Sequence, residues 1–382
     1  MDANPGAARR VALHLGVPKS GTTFLQRAIW RHRDDLVRQG VTPAGDQQQD
    51  MFHAAIEVRE AHEFWGFERD RLDGTWRRLC AGARSYRGTT VMSHELLGAA
   101  RDPQVERALA DLDGLDVHLV VTARDLARQV TSEWQERVKN GNTVTFAGFR
   151  RSLEGQIRRG DFSSGFWRNQ HLVGVLDRWA AGFPPENVHV VVAPPSGAAP
   201  DLLWRRFAEA VGFDGGAFDP TRTESAANQT LGTVQVALLR RVNEALDGRI
   251  KQPHYARVVK RQFAQKTLAA QRSDKPDCPP DLVERLRELA EEQNAEITAR
   301  GYRVHGDLAE LVPVRPTAGW TDPDAVDADA EAAAAAAAIA ELLAEKAASG
   351  RRRRGARDEV EVGVGSGLVR RVGARVRRRL RG

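Results

Sequence analysis

Residues 11–25 read Val11-Ala-Leu-His-Leu-Gly16-Val-Pro-Lys19-Ser-Gly21-Thr-Thr-Phe-Leu25, which predicts a strand, a tight loop and the start of a helix. Gly16 and Gly21 enclose four residues, the Gly-x-x-x-x-Gly spacing of a phosphate-binding P-loop. Such a loop points backbone N–H groups and a helix N-terminus at an anion. ATP- and GTP-hydrolysing P-loops have a lysine after the second glycine, but here Thr22 stands there and the lysine lies inside the loop at Lys19. The loop therefore predicts a nucleotide site in which the lysine contacts the phosphates from a different position.

Length and composition are those of a large folded protein. The chain has 382 residues, of which 41% are hydrophobic, enough for one large core or two smaller ones. No run of about 18 apolar residues is present, and a polar start leads straight into the first strand, so we expect neither a transmembrane helix nor a signal peptide. The cysteines, Cys80 and Cys278, are isolated, which argues against a disulfide framework or a zinc site. These features predict a cytoplasmic protein.

The excess positive charge is confined to the C-terminus. The net charge of the chain is +6, but residues 351–382 contain 12 arginines and 3 acidic residues and so carry +9. The preceding 350 residues therefore carry −3. A globular part with a slight negative charge does not fit general nucleic-acid binding, and we expect no nucleic-acid partner.

Four short β-rich runs alternate with helical patterns along the chain. This alternation predicts a three-layer, P-loop-like α/β fold in which helices flank a central parallel sheet. Ligands bind such sheets beyond the carboxyl ends of the strands, where the loops that begin at Gly16, Ser93 and Ala123 would converge. The predicted strands cover residues 11–15, 89–93, 117–122 and 188–193, and helical periodicity covers 24–29, 172–179, 202–211, 231–246 and 282–297.

The composition divides the chain into three segments. Residues 1–312 form the predicted catalytic domain, and residues 313–350 form a Pro/Ala-rich linker with a loosely attached helix near 331–346. Residues 351–382 are a basic tail. The tail is either disordered or a basic amphipathic segment that touches an anionic membrane or an acidic partner, which would bring the protein to the inner membrane surface.

A second anion site is predicted at the end of the third run. An NTPase would have an Asp there for Mg²⁺, but the run ends in Thr122-Ala123-Arg124-Asp125. Arg124 carries a rigid fork of donors suited to a phosphate, and Ser132 follows on the helix that begins near Asp125. Two phosphate sites predict a nucleotide phosphorylated at two places. The alternative is that Arg124 pairs with an acid at the rim of the sheet while Asp125 caps the helix.

The loop and the Arg124–Ser132 pair resemble the bacterial branch of the sulfotransferases that use 3′-phosphoadenosine 5′-phosphosulfate (PAPS). Residues 18–25 look like the 5′-phosphosulfate loop of that family, and the resemblance covers residues 9–312. It implies PAPS as the co-substrate, no metal, and a small-molecule, glycan or lipid acceptor. It also implies that the 5′-phosphosulfate is bound by Lys19, Ser20, Gly21, Thr22 and Thr23, the adenine lies near Phe24, and the 3′-phosphate is bound by Arg124 and Ser132.

A general base is needed because the acceptor loses a proton during sulfuryl transfer. His94 and Glu95 follow the second run. The resemblance implies a catalytic His at this place, as in cytosolic members, or a Glu, as in other branches. Two consecutive side chains cannot easily point into one cleft, so we expect one to act and the other to support it. An ordinary pKa near 6.5 favours His94, and Lys19 would stabilise the charge on the leaving phosphate.

Two other functions stay open at the level of the sequence. An ATP-using small-molecule kinase with a degenerate P-loop would depend on Mg²⁺. An inactive sulfotransferase-like protein would bind the nucleotide and sit on a membrane through its tail. The resemblance to the sulfotransferases also implies that the polar loop at 222–232 closes over the nucleotide, with Arg222 and Asn228 as its candidate contacts.

Overall fold

The computed structural model describes residues 9–222, 230–316 and 319–348. Within these ranges the strands are β1 (Arg10–His14), β2 (Val41–Pro43), β3 (Thr89–Ser93), β4 (Asp116–Ala123), β5 (Val188–Val192) and β6 (Arg303–His305). The α-helices are α1 (Thr22–Arg31), α2 (Arg33–Arg38), α3 (Asp50–Val58), α4 (His62–Trp65), α5 (Thr75–Ser85), α6 (Asp102–Ala110), α7 (Leu126–Lys139), α8 (Phe146–Arg159), α9 (Trp167–Gln170), α10 (Leu172–Trp179), α11 (Leu202–Val211), α12 (Thr233–Leu246), α13 (Pro280–Ala299) and α14 (328–348). A π-helical segment covers Ala256–Thr267.

The six strands form one parallel sheet in the order β2-β3-β1-β4-β5-β6. The predicted α/β fold with a central parallel sheet flanked by helices is confirmed. β1 pairs with β3 on one side and with β4 on the other, and the chain forms β2 and β3 on the first side before it crosses to β4, so β1 lies at a switch point of the strand order. At such a point the loops diverge and leave a crevice beyond the carboxyl ends of the strands.

The sheet is buried on both faces because side chains alternate along each strand. Val11 and Leu13 of β1 pack into one hydrophobic core with Trp179 of α10, whereas Ala12 points to the other face and packs into a core with Trp204 of α11. All five residues are at most 1% exposed. Burial of each large apolar side chain contributes about 1.5–3 kcal/mol, so both faces help to fix β1 in the centre.

The four predicted strands correspond to β1, β3, β4 and β5, within one residue at each end. The sequence does not predict β2 and β6. Each has three residues and lies at an edge of the sheet, too short for an alternating pattern to be recognised. Pro43 within β2 is tolerated because the strand is at the edge.

A third core is built from helices alone, mainly α7, α8, α12 and α13. Ala334 and Ala338 of α14 are buried in this core, and Asp324 caps α8 by accepting from the backbone N–H groups of Phe146 (2.9 Å) and Ala147 (2.8 Å). The expectation of a loosely attached helix near 331–346 is therefore wrong. Small alanines let the helix pack closely, a role that composition does not reveal. The basic tail at 351–382 lies outside the described residues.

Three histidines, here called the histidine ladder, cross the sheet on β4, β5 and β6. Nδ1 of His118 lies 2.9 Å from Nε2 of His189, and Nδ1 of His189 lies 3.0 Å from Nε2 of His305. All three are less than a tenth exposed. Burial, followed by the charges of the other two histidines, lowers the pKa of His189 to about 3. The middle imidazole is therefore neutral at physiological pH.

Among the described helices, none combines the length and apolar character that a membrane crossing requires.

Candidate active site

The loops after β1, β3 and β4 meet at the carboxyl edge of the sheet, as the sequence predicts. His14, the last residue of β1, joins all three strands. Its Nδ1 lies 2.8 Å from Oγ of Ser93 and its Nε2 lies 3.2 Å from Oγ1 of Thr122. Burial is the main cause that lowers the pKa of His14 to about 4, so the ring is a neutral bridge. The sequence predicts no role for His14, although it lies within residues 11–25.

The shape of the first loop depends on its two glycines. Gly16 has φ 92°, and a Cβ built on it would lie 2.8 Å from Cβ of Glu95. Gly21 has φ 97°, and a Cβ there would clash with Leu203 of α11. Both positions favour glycine for two reasons, the left-handed backbone and the close packing of neighbouring side chains. Lys19 also has a positive φ, 67°, which is uncommon for a residue with a side chain.

The hydroxyl groups of the loop have different surroundings. Oγ of Ser20 donates to the carbonyl of Val17 (2.6 Å) and also contacts Oγ1 of Thr122, and Ser20 is only 1% exposed. Its hydroxyl therefore stabilises the loop from within. Thr22 is buried at the start of α1, whereas Thr23 and Phe24 are half-buried.

The ammonium group of Lys19 forms an ion pair with Glu136 of α7. The other oxygen of the same carboxylate lies 2.5 Å from Nζ of Lys260, on the π-helical segment, and that Nζ also lies 2.9 Å from Oδ1 of Asn140. Burial favours a higher pKa for Glu136, but Lys19 and Lys260 outweigh it and hold the pKa far below its ordinary 4.5. Glu136 is thus an ionised bridge between two lysines. Glu136 and Lys260 are not among the residues predicted from the sequence, and the signal that could have indicated Glu136 is its helical spacing from Ser132.

Arg124 reaches the same loop from the end of β4. Its Nη1 donates to the carbonyl oxygen of Lys19 at 3.0 Å, so the guanidinium lies against the main chain of the first loop. Nε of Arg124 is buried and has no hydrogen-bond partner among the described residues. Burial, followed by the charge of Arg128, lowers the pKa of Arg124 to about 10, and the guanidinium stays protonated. Asp125 caps α7 by accepting from the N–H of Arg128 (2.9 Å), as the alternative interpretation predicts for that residue.

Ser132 is half-buried on α7. It lies one turn before Glu136, so both side chains share the face of the helix that reaches Lys19. Arg222 ends a short 3₁₀ turn, Pro220–Arg222, but its side chain and Asn228 lie outside what the structure describes.

His94 and Glu95 turn toward each other rather than apart. Nδ1 of His94 lies 4.0 Å from Oε2 of Glu95, so the two side chains lie together, and that one of them acts while the other supports it stays a prediction. The chain leaves β3 and enters the 3₁₀ turn Leu97–Ala99 directly afterwards, and this bend brings them together. Nδ1 of His94 also accepts from the backbone N–H of Leu96 at 3.2 Å, and Oε2 of Glu95 accepts from Nε2 of Gln26 at 2.9 Å.

Both groups have lowered pKa values. Burial lowers the pKa of His94 below 6.5 against the opposing charge of Glu95. Burial favours a higher pKa for Glu95, but His94, backbone and Gln26 hydrogen bonds and His14 together hold it below 4.5. At neutral pH the site therefore presents a neutral imidazole and an ionised carboxylate. Across the described ranges, no group of three or more His, Cys, Asp or Glu side chains is arranged to hold a metal ion.

Comparisons with known proteins include a distant structural likeness. No family model matches the sequence, and no curated protein matches it. The solved structure of a sulfotransferase from Alicyclobacillus acidocaldarius resembles the chain with a TM-score of 0.39 and 15% identity, covering 68% of this chain and 98% of that one. A likeness at this level carries no argument about activity, so we argue function from the side chains of this chain.

Proposed function

We propose that the chain is a sulfotransferase that moves a sulfuryl group from PAPS to a hydroxyl or an amine. The observation that carries the proposal is the junction in which the Arg124 guanidinium donates to the Lys19 carbonyl. The two residues follow adjacent parallel strands, which supports the proposal that one nucleotide binds at both. PAPS has anionic groups on both sides of its ribose, whereas the phosphates of ATP form a single chain. Two separate cationic sites suit the two anionic groups of PAPS better than the single phosphate chain of ATP.

The two anionic groups of PAPS would bind to different loops. The 5′-phosphosulfate fits the first loop, where the N–H groups at the start of α1 and the Lys19 ammonium favour an anion. The 3′-phosphate fits Arg124, whose buried Nε–H lacks an acceptor that a phosphate oxygen would supply. The remaining contacts to PAPS in the proposal are the backbone N–H of Ser20 together with Gly21, Thr22 and Thr23 around the phosphosulfate, Phe24 near the adenine and Ser132 at the 3′-phosphate.

Transfer would proceed in line and without a covalent enzyme intermediate. The acceptor oxygen or nitrogen attacks sulfur, the bond from sulfur to the 5′-phosphate oxygen breaks, and the acceptor proton passes to a base. Negative charge develops on the departing phosphate, where Lys19 stabilises it once the donor has replaced Glu136 as its partner. Glu136 would keep the ammonium near this position until the donor arrives.

We infer that Glu95, rather than His94, is the base. The N–H of Leu96 donates to Nδ1 of His94, so the neutral ring carries its proton on Nε2, and that nitrogen can donate but cannot accept. The Glu95 carboxylate is ionised, and only one of its oxygens is used by Gln26. This interpretation reverses the preference that the ordinary pKa of histidine gave at the level of the sequence.

Magnesium-dependent chemistry fits the site poorly. The carboxylate nearest the end of β4 is that of Asp125, and it already caps α7 and lies 3.4 Å from Arg128. The side chain that precedes it is the cationic Arg124, which would repel Mg²⁺. The residues therefore favour a donor whose charge is neutralised by protein cations.

The test is transfer of radiolabel from sulfur-labelled PAPS into an extract of the source cells, with EDTA present. We expect the wild-type chain to label at least one acceptor and Lys19→Met to lose the transfer. Arg84→Met is the matched control, because Arg84 is exposed on α5 and only donates to the carbonyl of Asp113. Equal transfer by wild type and Lys19→Met, or transfer from ATP with Mg²⁺ and not from PAPS, would contradict the proposal.

A further inference from the structure

One face of α3 points at His94, which is next to the proposed base Glu95. Phe52 lies on this helix, and its ring centroid is 5.4 Å from that of His94. The Phe52 ring also contacts Trp65 (5.1 Å) and Phe67 (6.2 Å). These three half-buried rings, here called the aromatic wall, give the space beside His94 an apolar side. Rings in this position suit a flat or apolar part of a substrate.

Arg59 follows Phe52 by seven residues, at the C-terminal end of α3. Two helical turns separate them, so they share a face about 10 Å apart along the axis. Arg59 is half-buried, and its guanidinium has neither a hydrogen bond nor an ion pair with any residue that the structure describes. Burial, followed by the charge of Arg168, lowers its pKa. The charge of Arg59 is also felt at His94, where it adds to the lowering of the pKa by burial.

Two more arginines, Arg168 and Arg178, are close enough to influence one another electrostatically, and Arg168 also influences Arg59. The Arg168 guanidinium donates to the carbonyls of Ala99 (2.8 Å), Ala100 (3.3 Å) and Ser163 (2.7 Å). Arg178 donates to the carbonyls of Gly98 (2.8 Å) and Arg168 (2.6 Å). Arg168 and Arg178 thus hold residues 98–100, shortly after His94 and Glu95. Together with Arg59, whose pKa is lowered by the charge of Arg168, they are here called the arginine cluster.

The arginine cluster lacks a direct carboxylate partner within the described ranges. Burial, followed by the charge of Arg168, lowers the pKa of Arg178 to about 10, although Asp102 and Asp177 act in the opposite direction. Glu60 is next to Arg59 in sequence, but its carboxylate is bound by Arg101 (2.9 Å) and Arg107 (2.8 Å). Like charges brought together in a half-buried place are unfavourable without an anion. An anionic ligand would relieve this repulsion.

We propose that the acceptor carries an anionic group that binds Arg59, while its apolar part lies on the aromatic wall and its reacting hydroxyl reaches Glu95. This inference rests on the proposed function. The chemistry shared by the possible groups is a carboxylate, sulfate or phosphate oxygen pair, which matches the fork of a guanidinium. Arg168 and Arg178, held by backbone carbonyls, supply a positive potential behind the contact.

The test compares matched ligands that differ in charge alone. The probes are 4-hydroxyphenylacetate and its neutral amide, and a second pair is a glucuronide and its methyl ester. Binding to the full chain is measured by calorimetry, with and without 3′-phosphoadenosine 5′-phosphate (PAP). We expect wild type to bind the anionic member of a pair about tenfold or more tightly than the neutral one, with this preference lost in Arg59→Met and partly kept in Arg59→Lys.

The controls separate this inference from the proposed function. Arg84→Met should keep the preference, since Arg84 is exposed and remote from the arginine cluster. Arg59→Met should bind PAP as wild type does and should fold normally, because no hydrogen bond of its side chain is removed. PAP binding without a preference for the anionic probes, including no binding of any of them, overturns the acceptor inference and leaves the donor assignment intact. Failure to bind PAP overturns the proposed function, while a charge preference lost in Arg59→Met would still support an anion site.

Discussion

The guanidinium of Arg124 donates to the main-chain carbonyl of Lys19 at 3.0 Å, across 105 positions of the sequence. This hydrogen bond ties the end of β4 to the main chain of the first loop. The side chain of Lys19 turns to Glu136, so the lysine is held by a carboxylate while no donor competes for it.

Replacement of Arg124 by Met should reduce binding of PAP much more than binding of AMP, which lacks the 3′-phosphate. Loss of charge-assisted hydrogen bonds to one phosphate is expected to weaken the binding of PAP by about 10- to 100-fold, while the binding of AMP changes little. Calorimetric titration of both nucleotides measures the ratio. Arg128→Met is the control, since Arg128 is half-buried on the next turn and its side chain contacts Asp125 and the carbonyl of Pro194. An equal loss for PAP and AMP would show that Arg124 only supports the loop.

Replacement of Glu136 by Gln should tighten PAP binding. The carboxylate competes with the donor for Lys19 and repels donor phosphates, so its removal is expected to improve affinity about fivefold, or roughly 1 kcal/mol. The same change should lower the free energy of unfolding, because Lys19 and Lys260 lose the anion between them. Glu154→Gln, which breaks the Glu154–Arg150 pair on α8, is the control for a lost ion pair far from the site. Weaker PAP binding by Glu136→Gln would contradict the assigned role.

Replacement of Glu95 by Gln should lower kcat by about 10²- to 10⁴-fold, the usual contribution of a general base, with PAP binding retained. His94→Asn should cost less than about tenfold, because an amide oxygen can still accept from Leu96. The pKa of Glu95 lies below 4.5, so wild-type activity should hold as pH falls to that value and decline only below it. Steady-state rates with an acceptor identified by labelling measure these effects. A larger loss of kcat in His94→Asn than in Glu95→Gln would indicate that His94 is the base.

Stability should fall as pH drops below about 6.5. His189 has a pKa near 3 in the fold against an ordinary 6.5, so the unfolded chain takes up the proton first. The stabilisation is complete above 6.5 and is lost as pH falls toward 3, with a slope of about 1.4 kcal/mol per pH unit for each such group. Chemical denaturation at pH 7.5 and 5.5 should show a smaller difference for His189→Gln, which keeps a donor and an acceptor for the histidine ladder. The same difference in wild type and variant would contradict the neutral ladder.

Most of the fold could be predicted from the sequence because the informative signals were local. The glycines of the first loop, the apolar runs of β3, β4 and β5 and the helical periodicities depend on nearby residues. The positions of Lys19 and Arg124 followed from one rule, that parallel strands end at the same edge of a sheet. Such signals also gave His94 and Glu95 as neighbours of the loop, although not their mutual orientation.

The rest of the site depends on distant parts of the chain. Lys260 reaches Glu136 from the π-helical segment, 124 positions away, and the arginine cluster gathers side chains from α3, α9 and α10. No periodicity links these residues, and lysines and arginines are abundant enough that none stands out. The proposal of Glu95 instead of His94 as the base has a different, local reason, because the hydrogen bond from the Leu96 N–H to the His94 ring is visible only in the folded loop.

The most direct test of the account is calorimetric titration of the full chain with PAP in EDTA, beside AMP and beside ATP with Mg²⁺. The account predicts saturable binding of PAP without metal, about tenfold or more tighter than AMP, and reduced in both Lys19→Met and Arg124→Met. No saturable binding of PAP, or a preference for ATP with Mg²⁺, would contradict the claim that this sheet edge holds a nucleotide with anionic groups on both sides of its ribose.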